Sequence, residues 1–200
     1  RRKIEALLFR DQYGREVIVP TMRPVLAWLI LLDDKIRERA LAISPELIFE
    51  GGEPKALPLA ARQKILRDVC ETMATDITRS STSDYRAIQR FADKDIAHDV
   101  KALLAKYASN NELLWFLLRM VWQGELAEAL PEAKQIALNP KAARFVRIAA
   151  FRAVGAVGSD SDKLEIRGHF LGEASTLNRE WFAELLEGLP PTKTSVEWVL

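Results

Sequence analysis

The sequence predicts an all-α protein, an α-α superhelix built as a solenoid of short antiparallel helix pairs. Three observations carry this. Beyond residue 20 no segment alternates apolar and polar residues over a strand's length, whereas apolar residues recur at three- and four-residue spacing. The periodic blocks are short and are joined by brief connectors, about two to six residues long, as antiparallel neighbours require. The stretch "KAARFVRIAAFRAVGAVGSD", Lys141 to Asp160, is helical but carries mostly alanine on its inner positions, where an ordinary core helix would use leucine.

Residues 1–20 read as a non-helical lead-in. Apolar runs flank a turn-like Asp11-Gln12-Tyr13-Gly14, which suits a short hairpin. Residues 21–80 read as a helical adaptor. Pro20 and Pro24 open "RPVLAWLILL", a helix starting near Met22 and stopped by Asp33 and Asp34, and Asp33 can cap the next helix, "DKIRERALAI". Ser44 and Pro45 fit the N-cap and first position of "PELIFE", which ends at Gly51-Gly52, where glycine suits a left-handed cap. Pro58 begins a longer helix with Leu59, Ile65, Leu66, Val69 and Met73 at helical spacing. The polar connector "TRSSTSD", Thr78 to Asp84, is the internal joint.

Residues 81–200 are expected to be helical repeats continuous with the adaptor. Helices are expected at roughly 84–91, 95–107, 111–123, 126–138, 141–155, 162–171 and 178–187. Pro131 should start a helix or kink one, because its ring and missing N–H do not fit a regular interior. Asn178 caps the last helix, Leu177 staples against Phe182, and Gly188 with Pro190-Pro191 ends it. Gly124 and Gly155 each follow a helix at a spacing within the roughly 30–45-residue period of helical-hairpin arrays.

The alanines follow from such an array. Val146, Ala149, Ala150 and Ala153 fall on one face, and Val154-Gly155 closes the helix. A helix that must touch its own partner and both neighbouring pairs has little volume available per side, which favours small residues. The run Val146 to Gly155, V-R-x-A-A-x-x-A-V-G after Asn139-Pro140, resembles the first helix of a HEAT repeat, so the fold expected is HEAT/armadillo-like. A second resemblance lies in Val19 to Val69. Pro20, Arg23, Ala27-Trp28-Leu29, Pro45-Glu46-Leu47, Gly52-Glu53-Pro54, Leu57-Pro58 and Arg62 are similar to the region after the NTPase core of bacterial NACHT-type signal-transducing ATPases, the STAND class. "ELAEALPEAKQIALNPKAARFVRIAAFRAVGAVG" resembles the HEAT-like helices of the same proteins. The resemblance implies a non-enzymatic sensor or scaffold arm of a larger bacterial ATPase. Its partner would be another protein or the ATPase core of the same parent chain. The missing initiator Met and the close of the chain inside "TSVEWVL" are read as those of a piece of a longer protein.

The chemistry is sparse. "EGGEPKALP" has two glycines and Lys55 but neither the spacing nor the Lys-Ser/Thr pair of a phosphate-cradling loop. His98 with Asp93, Asp95 and Asp99 suggests a carboxylate–histidine group, yet acids at a helix start explain the aspartates more simply. "GSDSDK" with His169 supplies the members of a triad without any spacing that selects one. No catalytic, cofactor-binding or metal-ligating residue is therefore assigned. A small enzyme built around His98 is the weakest alternative. Trp28, Trp115, Trp122, Trp181 and Trp198 read as core or inter-repeat packing. An exposed Trp115 or Trp122 would be the first candidate for a partner contact.

Lys141, Arg144, Arg147 and Arg152 form a basic arc on the alanine-rich helix. A HEAT-like nucleic-acid-binding protein using Arg144, Arg147 and Arg152 is the alternative function. A solvated face with one arginine tied to an adjoining helix is preferred. Lys plus Arg number 29 against 28 Asp plus Glu, so no global field draws in nucleic acid or an anionic membrane. No apolar run reaches the roughly 18–20 residues of a membrane span. The lone Cys70, in "ILRDVCETMA", reads as a buried apolar residue, and a cytoplasmic location is expected.

Overall fold

The computed structural model describes residues 2–75, 85–172 and 179–187, together with Thr192, Lys193 and Val196. Among them are eleven α-helices and one two-stranded antiparallel sheet, so the fold is all-α. The expected joint at 78–84, the Asn178 cap with its Leu177 staple, the Gly188 and Pro190-Pro191 stop, and Trp198 lie outside the described residues.

The lead-in departs from expectation at its start. Arg2–Leu8 is a helix, α1, because "RKIEALL" consists almost wholly of good helix formers and its last leucine is fully buried. The hairpin follows as β1 (Phe9–Gln12) and β2 (Arg15–Ile18), with Phe9 opposite Ile18. Tyr13 and Gly14 take φ of 57° and 73°, the two positive values that a tight hairpin turn needs.

The adaptor contains α2 (Arg23–Leu32), α3 (Asp34–Ile43) and α4 (Leu59–Thr75), with short 3-10 turns at Pro45–Phe49 and Pro54–Ala56 between the last two. Asp33 caps α3, its carboxylate accepting from the backbone N–H groups of Lys35 and Ile36. Ser44 does not cap the turn that follows. Its hydroxyl instead donates to Glu46 at 2.6 Å and accepts from Arg23 at 3.0 Å, while Arg23 also donates to Glu50. Gly52 has φ of 72°, and a Cβ there would overlap Leu31 Cδ1, so only glycine fits. Arg39 fastens the hairpin to α3: it bonds Glu16 at 3.0 Å and Glu5 at 3.2 Å and lies 4.4 Å over the Phe9 ring.

The remaining helices are α5 (Tyr85–Phe91), α6 (Ala97–Lys106), α7 (Asn111–Gly124), α8 (Leu130–Ala137), α9 (Arg144–Val157), α10 (Asp160–Gly172) and α11 (Arg179–Leu186). Asn110 caps α7 through the N–H of Leu113, and Pro131 sits in the first turn of α8 as its chemistry requires. α9 runs past Gly155 and stops at Gly158, which corrects the expected closure at Val154-Gly155. A Cβ on Gly158 would be 2.7 Å from the Val154 carbonyl oxygen, whereas one on Gly155 meets nothing within 4 Å. The two glycines of the expected repeat are therefore not equivalent. A Cβ on Gly124 would lie 2.7 Å from that of Ala92, a close approach that Gly155 lacks.

Helices pack on sequential neighbours, α6 on α7 and α8 on α9, and also on the helix two further along. α5 meets α7, α7 packs extensively on α9, and α9 meets α11, while α6 meets α8. Polar links also join alternate helices. Arg67 of α4 bonds Asp99 of α6 at 3.1 Å, 32 residues away. Lys101 of α6 faces Glu132 of α8 at 3.7 Å. Lys134 of α8 bonds Asp162 and Glu165 of α10, 28 and 31 residues on, and Arg152 of α9 bonds Glu184 of α11, 32 residues on. The separations repeat because each link crosses one helix pair. Among the described residues one continuous hydrophobic core runs from Leu8 to Leu185. Phe49 stacks edge-on with Phe91 and Phe116, at 5.2 and 5.6 Å between ring centres, joining adaptor to array.

Candidate functional site

The residues whose chemistry stood out in the sequence disperse into structural roles. Arg62, buried in α4, bonds Asp93 at 2.5 Å and Asp95 at 3.2 Å, while Asp99 accepts from Gln63 and Arg67. The three aspartates near His98 thus hold α4 against the start of α6, and His98 itself is exposed. Among the described residues no group of three or more His, Cys, Asp or Glu side chains is placed to hold a metal ion. The "GSDSDK" segment caps α10: the Ser159 N–H donates to Asp162 at 2.9 Å, and the Asp162 N–H returns a bond to the Ser159 hydroxyl. Lys134 first, then the Ser159 hydroxyl and N–H, hold the Asp162 carboxyl down at about 2. The glycines of "EGGEPKALP" rest on α2 against Ala27 and Leu31, and Leu57 is buried. Cys70 is fully buried, and burial pushes its thiol up to about 12.

The basic arc also comes apart. Lys141 and Arg144 are exposed, but Arg147 is 8% exposed. Its Nε donates to the Ala137 carbonyl of α8 at 3.0 Å, and its guanidinium lies 4.8 Å from the Phe170 ring centre and 5.7 Å from that of Trp181. Arg152 pairs with Glu184 through two hydrogen bonds, one of 2.8 Å, and lies 5.1 Å over the Trp122 ring. Arg147 and Arg152 are thus engaged within the fold.

The tryptophans divide. Trp181 is buried, and Trp115 and Trp122 are half-buried. Trp28 is 60% exposed, which corrects its reading as packing. The apolar residues of α2 exceed what its neighbours cover, and Val25, Trp28 and Leu32 form an outward stripe at helical spacing.

Two clefts remain. One, of about 580 Å³ between α3 and α4, has much of its lining charge already paired, Lys64 with Asp68 and Arg37 with Asp34. The other, of about 370 Å³, lies among α9, α10 and α11 with Trp122 of α7 on its wall. Trp122, Phe151 and Ile166 give it apolar surface, and Arg152, Lys163 and Arg167 give it charge. Glu184 neutralises Arg152, and among the described residues Lys163 reaches only the exposed Asp160, at 4.0 Å. Arg167 donates to the backbone carbonyl of Glu187 at 3.2 Å and has no carboxylate in ion-pair range among the described residues. Burial pulls its guanidinium below the ordinary arginine value, as expected for a half-buried cation without a counter-ion. This volume falls within the usual range of small-ligand sites. Sequence reasoning missed Arg167 and Lys163, since "DKLEIRGHF" carries no motif and the cleft forms only where four helices converge.

Among the described residues no helix is long and apolar enough to cross a membrane. Compared with known proteins, the chain matches no protein-family model, no curated protein and no solved structure.

Proposed function

We propose that this chain is a non-enzymatic α-superhelical interaction module, the HEAT-like sensor or scaffold arm of a bacterial NACHT-type ATPase of the STAND class. Its partner is another protein or the ATPase core of the same parent, in the cytoplasm. The observation that carries the array reading is the set of links between alternate helices, recurring at about one helix pair's length from α4 to α11. Such an arrangement relies on contacts between neighbouring units and presents an extended surface, as interaction solenoids do. The inward placement of Arg147 and Arg152 weighs against the nucleic-acid alternative.

The reading frame upstream of Arg1 tests the parentage. A phosphate-binding loop encoded there is the expected result, and a frame that opens at Arg1 without one refutes the assignment. Calorimetric titration of the chain with Mg-ATP is expected to give no binding heat. Saturable micromolar binding would refute the non-enzymatic reading.

A further inference from the structure

The cleft among α9, α10 and α11 plays no part in the proposed scaffold role, and its lining specifies a ligand. We infer that it binds one anionic group, a carboxylate, carried on an apolar body. Arg167 and Lys163 receive the anion, while Trp122 and the accessible edge of Phe151 receive the body, backed by the buried Ile166. The charge count selects the sign. Arg152 is already satisfied by Glu184, and the Lys163 partner is a fully solvated aspartate 4.0 Å away. Among the described residues Arg167 has only a backbone carbonyl for a partner, and Glu187, the other acid on the lining, forms no ion pair. A half-buried guanidinium has lost part of its hydration, and an anion brought to it makes a stronger, charge-assisted bond than a neutral carbonyl does. The second feature is the wall. An indole and a phenyl ring beside a cation suit a ligand that is apolar or planar next to its charge. The third is the space itself. Gly155 and Ala156 line it, and a Cβ on Gly155 would meet nothing within 4 Å. α9 therefore leaves volume here that no side chain of the described residues fills.

A free aromatic acid and an acidic side chain next to an apolar one on a partner polypeptide share this chemistry. The site depends on the fold and not on the ATPase parentage, so the upstream reading frame has no bearing on it. Three probes test it on the full chain: 3-phenylpropionate, its uncharged amide, and N-acetyl-Phe-Glu amide. Tryptophan emission and calorimetry are expected to show saturable binding of the two acids and none of the amide. R167Q is expected to weaken the acids by about tenfold or more, the effect of one lost charged hydrogen bond. Because Arg167 also bonds Glu187, a second variant guards against misfolding. G155L fills the cleft in open space within a helix, and leucine is a better helix former than glycine. It is expected to melt no lower than the parent and to bind neither acid. Tighter binding of the dipeptide assigns the site to a polypeptide partner, and equal or weaker binding assigns it to a small acid. The inference is overturned if neither acid saturates, if the amide binds equally, or if G155L binds like the parent. Binding of a duplex oligonucleotide that R167Q abolishes, with neither acid bound, would overturn it in favour of phosphate recognition.

Discussion

Replacing Arg147 with alanine removes one of the few charged side chains buried in this fold, and the cost can be worked from its contacts. The lost hydrogen bond to the Ala137 carbonyl, 3.0 Å long, involves a charged donor and is worth about 1.5–3 kcal/mol. The guanidinium also lies against Phe170 and Trp181, and a desolvated cation–π contact adds roughly 0.5–2 kcal/mol. These terms share one side chain and do not sum fully, so we expect a loss of about 2–4 kcal/mol. With a urea slope of roughly 2 kcal/mol/M the midpoint should fall by about 1–2 M at unchanged slope. Arg147→Met keeps the stem on the alanine face and should recover part of the loss. Lys141→Ala and Arg144→Ala, at exposed positions, should each cost about 0.5 kcal/mol or less. Urea denaturation followed by circular dichroism measures all four. An Arg147→Ala midpoint indistinguishable from that of the parent would refute the assignment of this arginine to helix–helix packing. So would a salt-sensitive affinity for DNA that falls in the variant.

Three further outcomes follow from particular residues. Gly155→Ala should stabilise by about 0.5–1 kcal/mol, since helix propensity rises and no atom is met, whereas Gly124→Ala should destabilise by about 1–3 kcal/mol through its 2.7 Å approach to Ala92. Thermal melts of the pair should move in opposite directions, and a shared direction would contradict the close approach at Gly124. Cys70 should resist Ellman's reagent at pH 8 in the native chain and react fully in urea, because the thiol is buried and held at about 12; rapid native labelling would contradict its burial. Asp162 has a folded value of about 2, below the unfolded value of about 3.9, so its contribution is present above pH 4 and is lost as the pH falls toward 2. Asp162→Asn should remove that part of the acid dependence, and an unchanged profile between pH 4 and 2 would contradict the Lys134 and Ser159 contacts.

What can be read from the sequence is whatever is written in local spacing. The Asp33 cap, the Pro131 helix start, one of the two roles open to that proline, and the tie of Arg147 to an adjoining helix each depend on a few adjacent residues, and each is found in the structure. "AVGAVG" defeats the same reasoning because it offers the Val-Gly stop twice. Gly158 ends the helix: its N–H bonds the Val154 carbonyl so closely that a Cβ there would overlap the oxygen, a crowding that no local pattern encodes. α1 escapes a sequence reading because its seven residues are too short for periodicity to register. Trp28 misleads for another reason: an apolar helix implies burial of its tryptophan only if enough neighbours surround it, and α2 leaves Val25, Trp28 and Leu32 exposed. The cleft is the least legible feature, since Trp122, Arg152, Arg167 and Glu187 are brought together by the stacking of four helices.

The alanine-rich helix and the cleft have a common origin. Along α9, Val146, Ala149, Ala150 and Ala153 are buried by neighbouring helices, and their small side chains let those helices come close. The run of small residues continues into Gly155 and Ala156, but there both residues are exposed. Where neighbours close in, small residues give tight packing; where they diverge, the same residues leave a hollow. Arg147 and Arg152 mark the two regimes. The first is sealed under Phe170 and Trp181, while the second lies at the edge of the hollow, held by Glu184 against Trp122. Filling the hollow from inside the fold, as Gly155→Leu does, and filling it with an apolar acid should therefore be mutually exclusive. Packing makes both possible, and only the charge on Arg167 separates them.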